Sequence, residues 1–238
     1  MGPAYGEPAV EAPAPHWTYQ GLEGPANWGN LSAEYAACRH GRQQSPVNIV
    51  KPTGVELAEL EFDYGAVPVD LVNTGHTVEV RVPAGNLLRI GKRELELKQI
   101  HFHGPAEHMI EGRISPIEVH LVHQSEDGRY GVVGIMIEVG EENRLFESLS
   151  QHAPKSATAT YRDGAQVLEL TDLLPEERNY VRYFGSLTTP PCTEGVDWYV
   201  MSAPVEATDS QIGMLRDVMG ENARPAQPLN DRFILTSE

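Results

Sequence analysis

Short stretches of alternating apolar and polar residues, separated by turn-forming residues, run along most of this 238-residue chain. This alternation predicts strands over residues 67–72, 77–82, 87–90, 94–97, 117–123, 131–139 and 198–202. Short turn signals such as Glu126-Asp127-Gly128 favour antiparallel pairing of neighbouring strands. Helical patterns are confined to residues 30–38, 143–152 and 209–219. The sequence therefore predicts a β-rich fold without the βαβ alternation of nucleotide-binding proteins.

The length of the chain and its 40% hydrophobic content favour one domain with one core. We expect that domain to span residues 16–238. Residues 1–15 contain four prolines among Ala, Gly and Glu, a composition that predicts a flexible tail. This segment lacks the basic start and apolar stretch of a signal peptide, so we expect any export signal to lie outside the sequence.

The balance of charges limits the partners that the protein can bind. The chain has 18 Lys and Arg against 34 Asp and Glu, a net charge of −16. Such an acidic protein repels nucleic acids and anionic membrane surfaces. Apolar runs also stay well short of the ~20 residues needed to cross a bilayer. We therefore expect neither nucleic acid nor membrane as a partner.

Five of the nine histidines lie between positions 101 and 123, in strand-like segments. Side chains two apart on a strand share a face, so His101 and His103 project together. His120 and His123 project to opposite faces of a second strand, and spacing alone does not decide which of them joins the pair. Three imidazoles form a tripod for a divalent metal with one open coordination position, the arrangement of catalytic metal sites.

The two cysteines, Cys38 and Cys192, are far apart in the sequence. On count alone, two free thiols and one disulfide are about equally good interpretations.

Eight segments resemble motifs of the α-class carbonic anhydrases, and they occur in the family's order over residues 16–19, 44–49, 73–76, 99–103, 107–108, 118–123, 185–192 and 224–230. The short segment after His103 and the position of Cys192 resemble the bacterial branch most. The resemblance implies a mainly β (α+β) single domain, with a large twisted, mostly antiparallel central sheet and short peripheral helices. It also implies a Cys38–Cys192 disulfide, and hence a periplasmic or secreted protein.

The resemblance assigns the metal as Zn²⁺ and the ligands as His101, His103 and His120. Gln99 and Glu118 would each accept the outer N–H of a ligand ring, which fixes the ring's orientation. We expect His108 and His123 to be structural residues or supports of the ligands, and Tyr19 is also expected to support the site. The implied reaction is reversible hydration of CO2 to bicarbonate and a proton by zinc-bound hydroxide, because zinc lowers the pKa of its bound water to about 7.

Three further residues would complete the catalytic machinery of such an enzyme. Thr188 resembles a threonine that orients the hydroxide and donates its own proton to a carboxylate, here Glu107. An ionised Glu107 can only accept, which fixes the direction of both hydrogen bonds. His76 resembles the family's proton shuttle, with Tyr19 and Thr74 helping to order the intervening water.

Carbon dioxide is apolar, and an apolar wall is expected to hold it. The residues that match the family's substrate pocket are Val122, Val132, Leu187, Thr189, Val196 and Trp198. The resemblance also implies sulfonamide-type and small-anion inhibitors, and it is compatible with a homodimer.

Two other functions remain as alternatives: a non-catalytic carbonic anhydrase-like binding domain, and a zinc esterase with another substrate. Non-catalytic relatives typically lose a zinc histidine, whereas this chain keeps all three. The sequence also departs from the family's pattern at some positions near the site, namely Thr74, Glu79, Ile100, Gly104 and Ala223.

Overall fold

The computed structural model describes residues 15–237. Most of the predicted tail lies outside this range, so its flexibility stays a prediction. The strands are β1 (Asn48–Ile49), β2 (Thr53–Val55), β3 (Leu60–Asp63), β4 (Ala66–Asn73), β5 (Val78–Arg81), β6 (Leu87–Ile90), β7 (Arg93–His103), β8 (Met109–Ile110), β9 (Ile117–Gln124), β10 (Tyr130–Val139), β11 (Thr160–Glu169), β12 (Tyr180–Ser186), β13 (Glu194–Met201), β14 (Val205–Ala207) and β15 (Leu235–Ser237). The α-helices are α1 (Trp28–Leu31), α2 (Ala37–His40), α3 (Arg144–His152) and α4 (Asp209–Met219).

One large sheet forms the body of the protein, with strands in the order β11-β4-β5-β7-β9-β10-β13-β12-β15-β2. β6 pairs with β7 and with β3, and β14 pairs with β10. Most pairs are antiparallel, whereas β10 runs parallel to β13 and β14, and β15 runs parallel to β2. The predicted fold class, mainly β with a large, mostly antiparallel sheet and short helices, is therefore confirmed.

The predicted strands lie wholly or largely within observed ones. Residues 94–97 prove to be the first part of the longer strand β7, which continues through His103. The prediction misses β3, β11 and β12, and it also misses the strands of only two or three residues, which are β1, β2, β8, β14 and β15. β11 is an exposed edge strand with an irregularity between Asp163 and Val167, which hides its alternation. β12 is rich in aromatic and β-branched residues, a composition that favours strands, so its sequence contains a signal that would have predicted it.

A β-bulge in the middle of β7 decides which face carries the histidines. The pairing of β7 with β9 shifts between Leu97 and Gln99. Before this shift Leu95 and Leu97 point into the main core, and after it Ile100 and Phe102 do. The extra residue reverses the alternation. It therefore places Gln99 and the two histidines that follow on the opposite face of the sheet.

The sheet separates two hydrophobic clusters. The larger one lies under α3 and α4, which contribute Leu145, Phe146, Leu149, Ile212 and Leu215. Both helices begin at a side-chain cap: Asn143 accepts from the N–H groups of Leu145 and Phe146, and Thr208 forms a capping box with Gln211. The two helices match their predictions over 143–152 and 209–219. They leave the other face of the sheet free for the smaller cluster and the site.

The helix predicted over residues 30–38 is wrong in extent. Two single-turn helices, α1 and α2, flank a 3₁₀ turn at Ala33–Tyr35. Ser32 is extended (φ −155°, ψ 153°) and caps the 3₁₀ turn by accepting from the Glu34 N–H, which interrupts the helix. The segment packs around Trp28 and Tyr35, together with a Cys38–Cys192 disulfide. The predicted disulfide is thus present.

Among residues 15–237, helices long and apolar enough to cross a membrane do not occur.

Candidate metal centre

Three histidines on neighbouring strands converge on one point. His101 and His103 extend from β7, and His120 lies directly opposite His101 on β9. One ring nitrogen of each lies within 4.8 Å of the others, and His101 Nε2 is 3.3 Å from His120 Nδ1. Within residues 15–237, His103 Nε2 has no hydrogen-bond partner although it is buried. The converging atoms are therefore Nε2, Nε2 and Nδ1.

The outer nitrogen of each ring donates to an oxygen. His101 Nδ1 donates to Gln99 Oε1, His103 Nδ1 to the Asn222 carbonyl, and His120 Nε2 to Glu118 Oε1, all at 2.8 Å. These hydrogen bonds place the single proton of each neutral ring on the outer nitrogen. The lone pairs of all three inner nitrogens are then free to bind a metal.

The charges on the histidines suit a metal as well. Burial lowers the pKa of His101 and of His120, and it lowers the pKa of His103 to about 4. All three rings are neutral near pH 7, the state that ligates metals. Three neutral nitrogen donors, each with its outer N–H satisfied, fit a divalent ion such as zinc that accepts nitrogen ligands and keeps one position open.

Glu118 is the centre of a buried hydrogen-bond network behind His120. Its carboxylate accepts from the backbone N–H groups of Glu107 and His108 at 2.9 and 2.8 Å and from the His108 ring at 2.7 Å. Burial alone would raise its pKa, but His108 and His120 outweigh burial and hold the pKa well below the ordinary value. His108, Glu118 and His120 also lie close enough together to hold a metal ion. Their hydrogen bonds account for this closeness, because both rings donate to the ionised Glu118 carboxylate.

The network extends beyond His108. Because the His108 Nδ1 proton goes to Glu118, its Nε2 accepts from the Tyr183 hydroxyl at 2.6 Å. Tyr183 in turn lies 2.8 Å from Ser45 Oγ, which must then donate to it. Gly134, opposite His120 on β10, leaves room for this arrangement, since a Cβ there would lie 2.9 Å from Glu118 Oε1.

Glu107 approaches the site from the loop after β7. Its Oε1 accepts from the Arg224 N–H at 2.8 Å, and its Oε2 lies 3.5 Å from His103 Nε2. Burial raises its pKa to about 7, although His120, the Arg224 N–H and the Thr188 hydroxyl act in the opposite direction. Thr188 is thus near Glu107, but within residues 15–237 Glu107 Oε2 makes no hydrogen bond of regular geometry.

His76 lies in a structured turn, and its backbone carbonyl accepts from Asn222 Nδ2. Thr74 Oγ1 accepts from the His76 and Thr77 N–H groups, and Gly75 adopts a positive φ of 87° that favours glycine. The His76 ring stacks on Trp17, with centroids 3.8 Å apart, and Tyr19 contacts it edge to face. Burial, followed by the charge of His16, lowers the pKa of His76.

The predicted substrate-pocket residues lie together, with one exception. Val122, Val132, Val196 and Trp198 belong to the smaller hydrophobic cluster, and Leu187 packs against it. Trp198 also contacts His120, with ring centroids 4.9 Å apart, so the cluster borders the metal centre. Thr189 lies instead in the turn that follows Thr188, where its carbonyl accepts from the Cys192 N–H.

The structure removes the ambiguity between His120 and His123. The His123 ring lies on the opposite face of β9, fully buried, with Nε2 at 2.5 Å from the Tyr64 hydroxyl. His123 therefore cannot converge with His101, His103 and His120, which lie on the other face of the sheet. Sequence reasoning missed Asn222, Tyr183 and Arg224, because these residues reach the site from distant parts of the chain.

The fold and the site define a class: a large-sheet protein with three converging histidines that could hold a divalent metal. A family model described as eukaryotic-type carbonic anhydrase matches residues 23–238. The carbonic anhydrase of Pectobacterium atrosepticum is 38% identical over 221 residues, covering 92% of this chain and 90% of that protein. That of Neisseria gonorrhoeae is 40% identical over 222 residues, covering 92% and 87%.

Solved structures agree. The α-carbonic anhydrase of Thermovibrio ammonificans, in complex with the inhibitor sulfanilamide, has a TM-score of 0.90 at 40% identity. The match covers 93% of this chain and 99% of that one. The chain belongs to the α-carbonic anhydrase family.

Proposed function

We propose that the protein catalyses the reversible hydration of carbon dioxide to bicarbonate and a proton, with Zn²⁺ held by His101, His103 and His120. The observation that carries this proposal is the convergence of three neutral ring nitrogens whose outer N–H groups all have acceptors. A metal in such a site supplies a Lewis acid that makes a bound water acidic near neutrality.

The three ligands contribute no negative charge of their own. Glu118 is anionic, but its charge is shared among four N–H donors, which moderates its effect on His120. These neutral ligands would therefore leave a bound metal its full charge. Gln99 and the Asn222 carbonyl hold the other two rings through neutral oxygens, so they orient the ligands without adding charge.

Thr188 and Glu107 orient the attacking oxygen in this proposal. The Arg224 N–H holds the Glu107 carboxyl in place. An ionised Glu107 only accepts, so the Thr188 hydroxyl donates to it and keeps its lone pairs for a proton of the attacking oxygen. An attacking group without a proton would lack this contact.

Carbon dioxide would occupy the apolar wall that Val122, Val132, Leu187, Val196 and Trp198 form beside the ligands. His76, which is half-buried, would accept the proton that the reaction releases and pass it to buffer. Its lowered pKa keeps the ring neutral, and hence able to accept, at pH 7.

The remaining expectations form part of the same proposal. Residues 16–238 act as one catalytic domain. Sulfonamides and small anions would inhibit by occupying the open metal position; the Thermovibrio relative is solved in complex with the inhibitor sulfanilamide, which supports the sulfonamide part of this expectation. The Cys38–Cys192 disulfide supports a periplasmic or secreted location, where disulfides persist.

Metal analysis together with stopped-flow measurement of CO2 hydration tests the proposal. We expect about one zinc per chain, loss of hydration activity on chelation, and recovery with added zinc. His101→Asn should lose both zinc and activity, whereas His40→Asn, at an exposed histidine on α2, should keep both.

Two results would contradict the proposal. Full zinc loading without CO2 hydration would favour a binding domain, or a zinc esterase if activated esters are hydrolysed. Unchanged activity after complete removal of the metal would exclude the metal centre as the site of reaction.

A further inference from the structure

A carboxylate lies beside the metal centre on the neighbouring strand. Glu79 on β5 is directly opposite His101 on β7, and His101 is directly opposite His120 on β9. Directly opposite residues of adjacent antiparallel strands share a face, with Cβ atoms about 4.5–5.5 Å apart. The three side chains therefore form one row across the sheet, with Glu79 next to a proposed ligand.

The alternation along β5 supports this orientation. Val78 and Val80, on either side of Glu79, are fully buried in the main core. Glu79 is half-buried, and its side chain must project to the other face, where the metal centre lies. This face of β5 also carries Arg81, opposite Gln99.

Nothing within residues 15–237 neutralises the Glu79 carboxylate by direct contact. Arg81 is the neighbouring charge that acts on it, yet the guanidinium of Arg81 is 4.0 Å from Asp70 Oδ1. Asp70 in turn pairs with Arg162 at 3.0 Å. Glu79 contrasts with Glu118 and Glu107, whose carboxylates accept hydrogen bonds from the protein.

We propose that Glu79 sets the anion selectivity of the site, weakening the binding of monovalent anions at the metal while leaving neutral ligands unaffected. The inference rests on the proposed function, because it assigns the metal to the three histidines. Its consequence for catalysis follows from charge: carbon dioxide is neutral and bicarbonate is an anion, so a fixed negative charge favours release of the product over retention.

The expected size of the effect follows from Coulomb's law. Two unit charges about 7–10 Å apart, at an effective dielectric between that of a protein surface and that of water, change a dissociation constant by about two- to fivefold. An isosteric Glu79→Gln substitution removes the charge and keeps the shape. Glu79→Asp keeps the charge, and Glu79→Asn provides a second neutral variant.

Cobalt(II) substitution provides a readout that is independent of activity. The visible absorption of the metal reports on ligand binding. The protein is titrated at pH 6, below the pKa of about 7 of a metal-bound water, so that each ligand replaces a neutral water. The ligands are thiocyanate, an anion, and imidazole, whose dissociation constant is calculated for its neutral form. In Glu79→Gln and Glu79→Asn we expect thiocyanate to bind about two- to fivefold more tightly and imidazole to bind as in the parent protein. Glu79→Asp should keep the weak thiocyanate binding.

Glu169→Gln is the matched control, because it removes the same unit of charge at an exposed position near the end of the edge strand β11. It should leave both dissociation constants unchanged. Equal thiocyanate affinity in Glu79→Gln and the parent protein would overturn the proposal. Equal shifts for thiocyanate and imidazole would also overturn it, since they would indicate a reshaped site rather than a charge effect.

The outcomes are separate from those that test the proposed function. A protein that binds cobalt and thiocyanate but hydrates no CO2 would contradict the function and leave the Glu79 comparison valid. If the protein hydrates CO2 but its thiocyanate affinity does not change when the charge at position 79 is removed, only the role of Glu79 is contradicted. In active protein, added bicarbonate should inhibit Glu79→Gln at about two- to fivefold lower concentration than the parent.

Discussion

At the scale of single residues, the hydrogen-bond partners of the two ring nitrogens decide whether a histidine can bind a metal. His101, His103 and His120 differ from His108 and His123 in one respect: each donates outward and leaves an inner lone pair free. His108 uses both nitrogens for hydrogen bonds, and His123 faces the main core beside Tyr64. A histidine in this protein is therefore a candidate metal ligand, a support for one or a core residue, depending on the partners of its two ring nitrogens.

His76→Ala should lower the maximal rate of CO2 hydration in weakly buffered solution by about a hundredfold, the lower end of what general acid–base groups contribute. Imidazole buffer should restore the rate by supplying an external proton acceptor. The value of kcat/KM for CO2 should stay near that of the parent protein, since proton release follows the attack. Stopped-flow assays across a buffer series measure both quantities, and a normal maximal rate in the variant would assign proton transfer to another group.

Tyr183→Phe should weaken zinc binding about tenfold, although Tyr183 does not touch the metal. Without the hydroxyl, His108 Nε2 loses its donor, and the ring is freer to turn away from Glu118. The buried nitrogen left without a partner should also cost about 1–3 kcal/mol of stability. Competition with a chromophoric chelator measures the affinity; an unchanged affinity would show that Glu118 orients His120 without help from His108.

At the scale of elements, the bulge in β7 makes one strand serve two faces. Regular alternation from Leu95 would carry Leu97, Gln99, His101 and His103 on one side, with the histidines in the main core. The sequence predicts the strand content and the pairing of His101 with His103, because both are local patterns. It does not predict the bulge, since that irregularity depends on the register with β9.

In the candidate site too, the features set by local sequence were predictable, and those set by contacts between distant segments were not. Ligand spacing and acceptors two residues away, such as Gln99, are visible in the local sequence. The choice between His120 and His123 required the family's pattern, because parity on one strand does not give its register with another. Asn222 and Arg224 follow α4, and only the packing of the whole chain brings their backbones to His103 and Glu107.

Deleting Lys98 should abolish zinc binding, because the deletion removes the extra residue and turns either the leucines or the histidines to the wrong face. Lys98→Ala keeps the chain length and should bind zinc normally. Zinc content after dialysis and urea unfolding of both variants measure the effect. Normal zinc content in the deletion variant would mean that β7 restores the bulge at a neighbouring position.

Asp197 joins three strands through a buried cluster of charges, with Arg182 at 2.9 Å, Arg93 at 2.6 Å and the Tyr199 hydroxyl at 2.6 Å. Burial alone would raise its pKa, but these hydrogen bonds outweigh burial and lower it below 3.8. A carboxyl whose pKa is lower in the folded state adds stability above its unfolded pKa and loses it as the pH falls through the folded value.

Asp197→Asn should therefore lower the free energy of unfolding at pH 7 by about 1–3 kcal/mol, because two partly buried guanidinium groups lose their counter-charge. The difference between the two proteins should shrink as the pH falls below about 4, where the carboxyl of the unfolded parent chain begins to take up a proton, and it should be lost once the pH is below the lower pKa of the folded state. Urea unfolding at a series of pH values measures both effects. A difference that stays constant from pH 7 down to pH 2 would contradict the role of the ionised carboxylate.

At the scale of the whole molecule, the disulfide ties the N-terminal segment to the loop that carries Thr188. Cys38 and Cys192 are separated by 154 positions, and their carbonyls accept from Arg224 Nη2 and Gln44 Nε2 at 3.0 Å each. Arg224 also donates its backbone N–H to Glu107. One buried arginine therefore connects the disulfide region with the carboxylate that is proposed to orient Thr188.

Replacing both cysteines with serine should lower the free energy of unfolding by about 4–5 kcal/mol, the chain-entropy cost of releasing a loop of this length. It should also lower CO2 hydration in the folded protein more than zinc affinity, because the loop with Thr188 loses its anchor whereas the three histidines stay on the sheet. Urea unfolding, stopped-flow hydration and chelator competition measure the three quantities. Equal losses of zinc affinity and activity would place the effect at the metal itself, and unchanged activity would show that the loop is held without the disulfide.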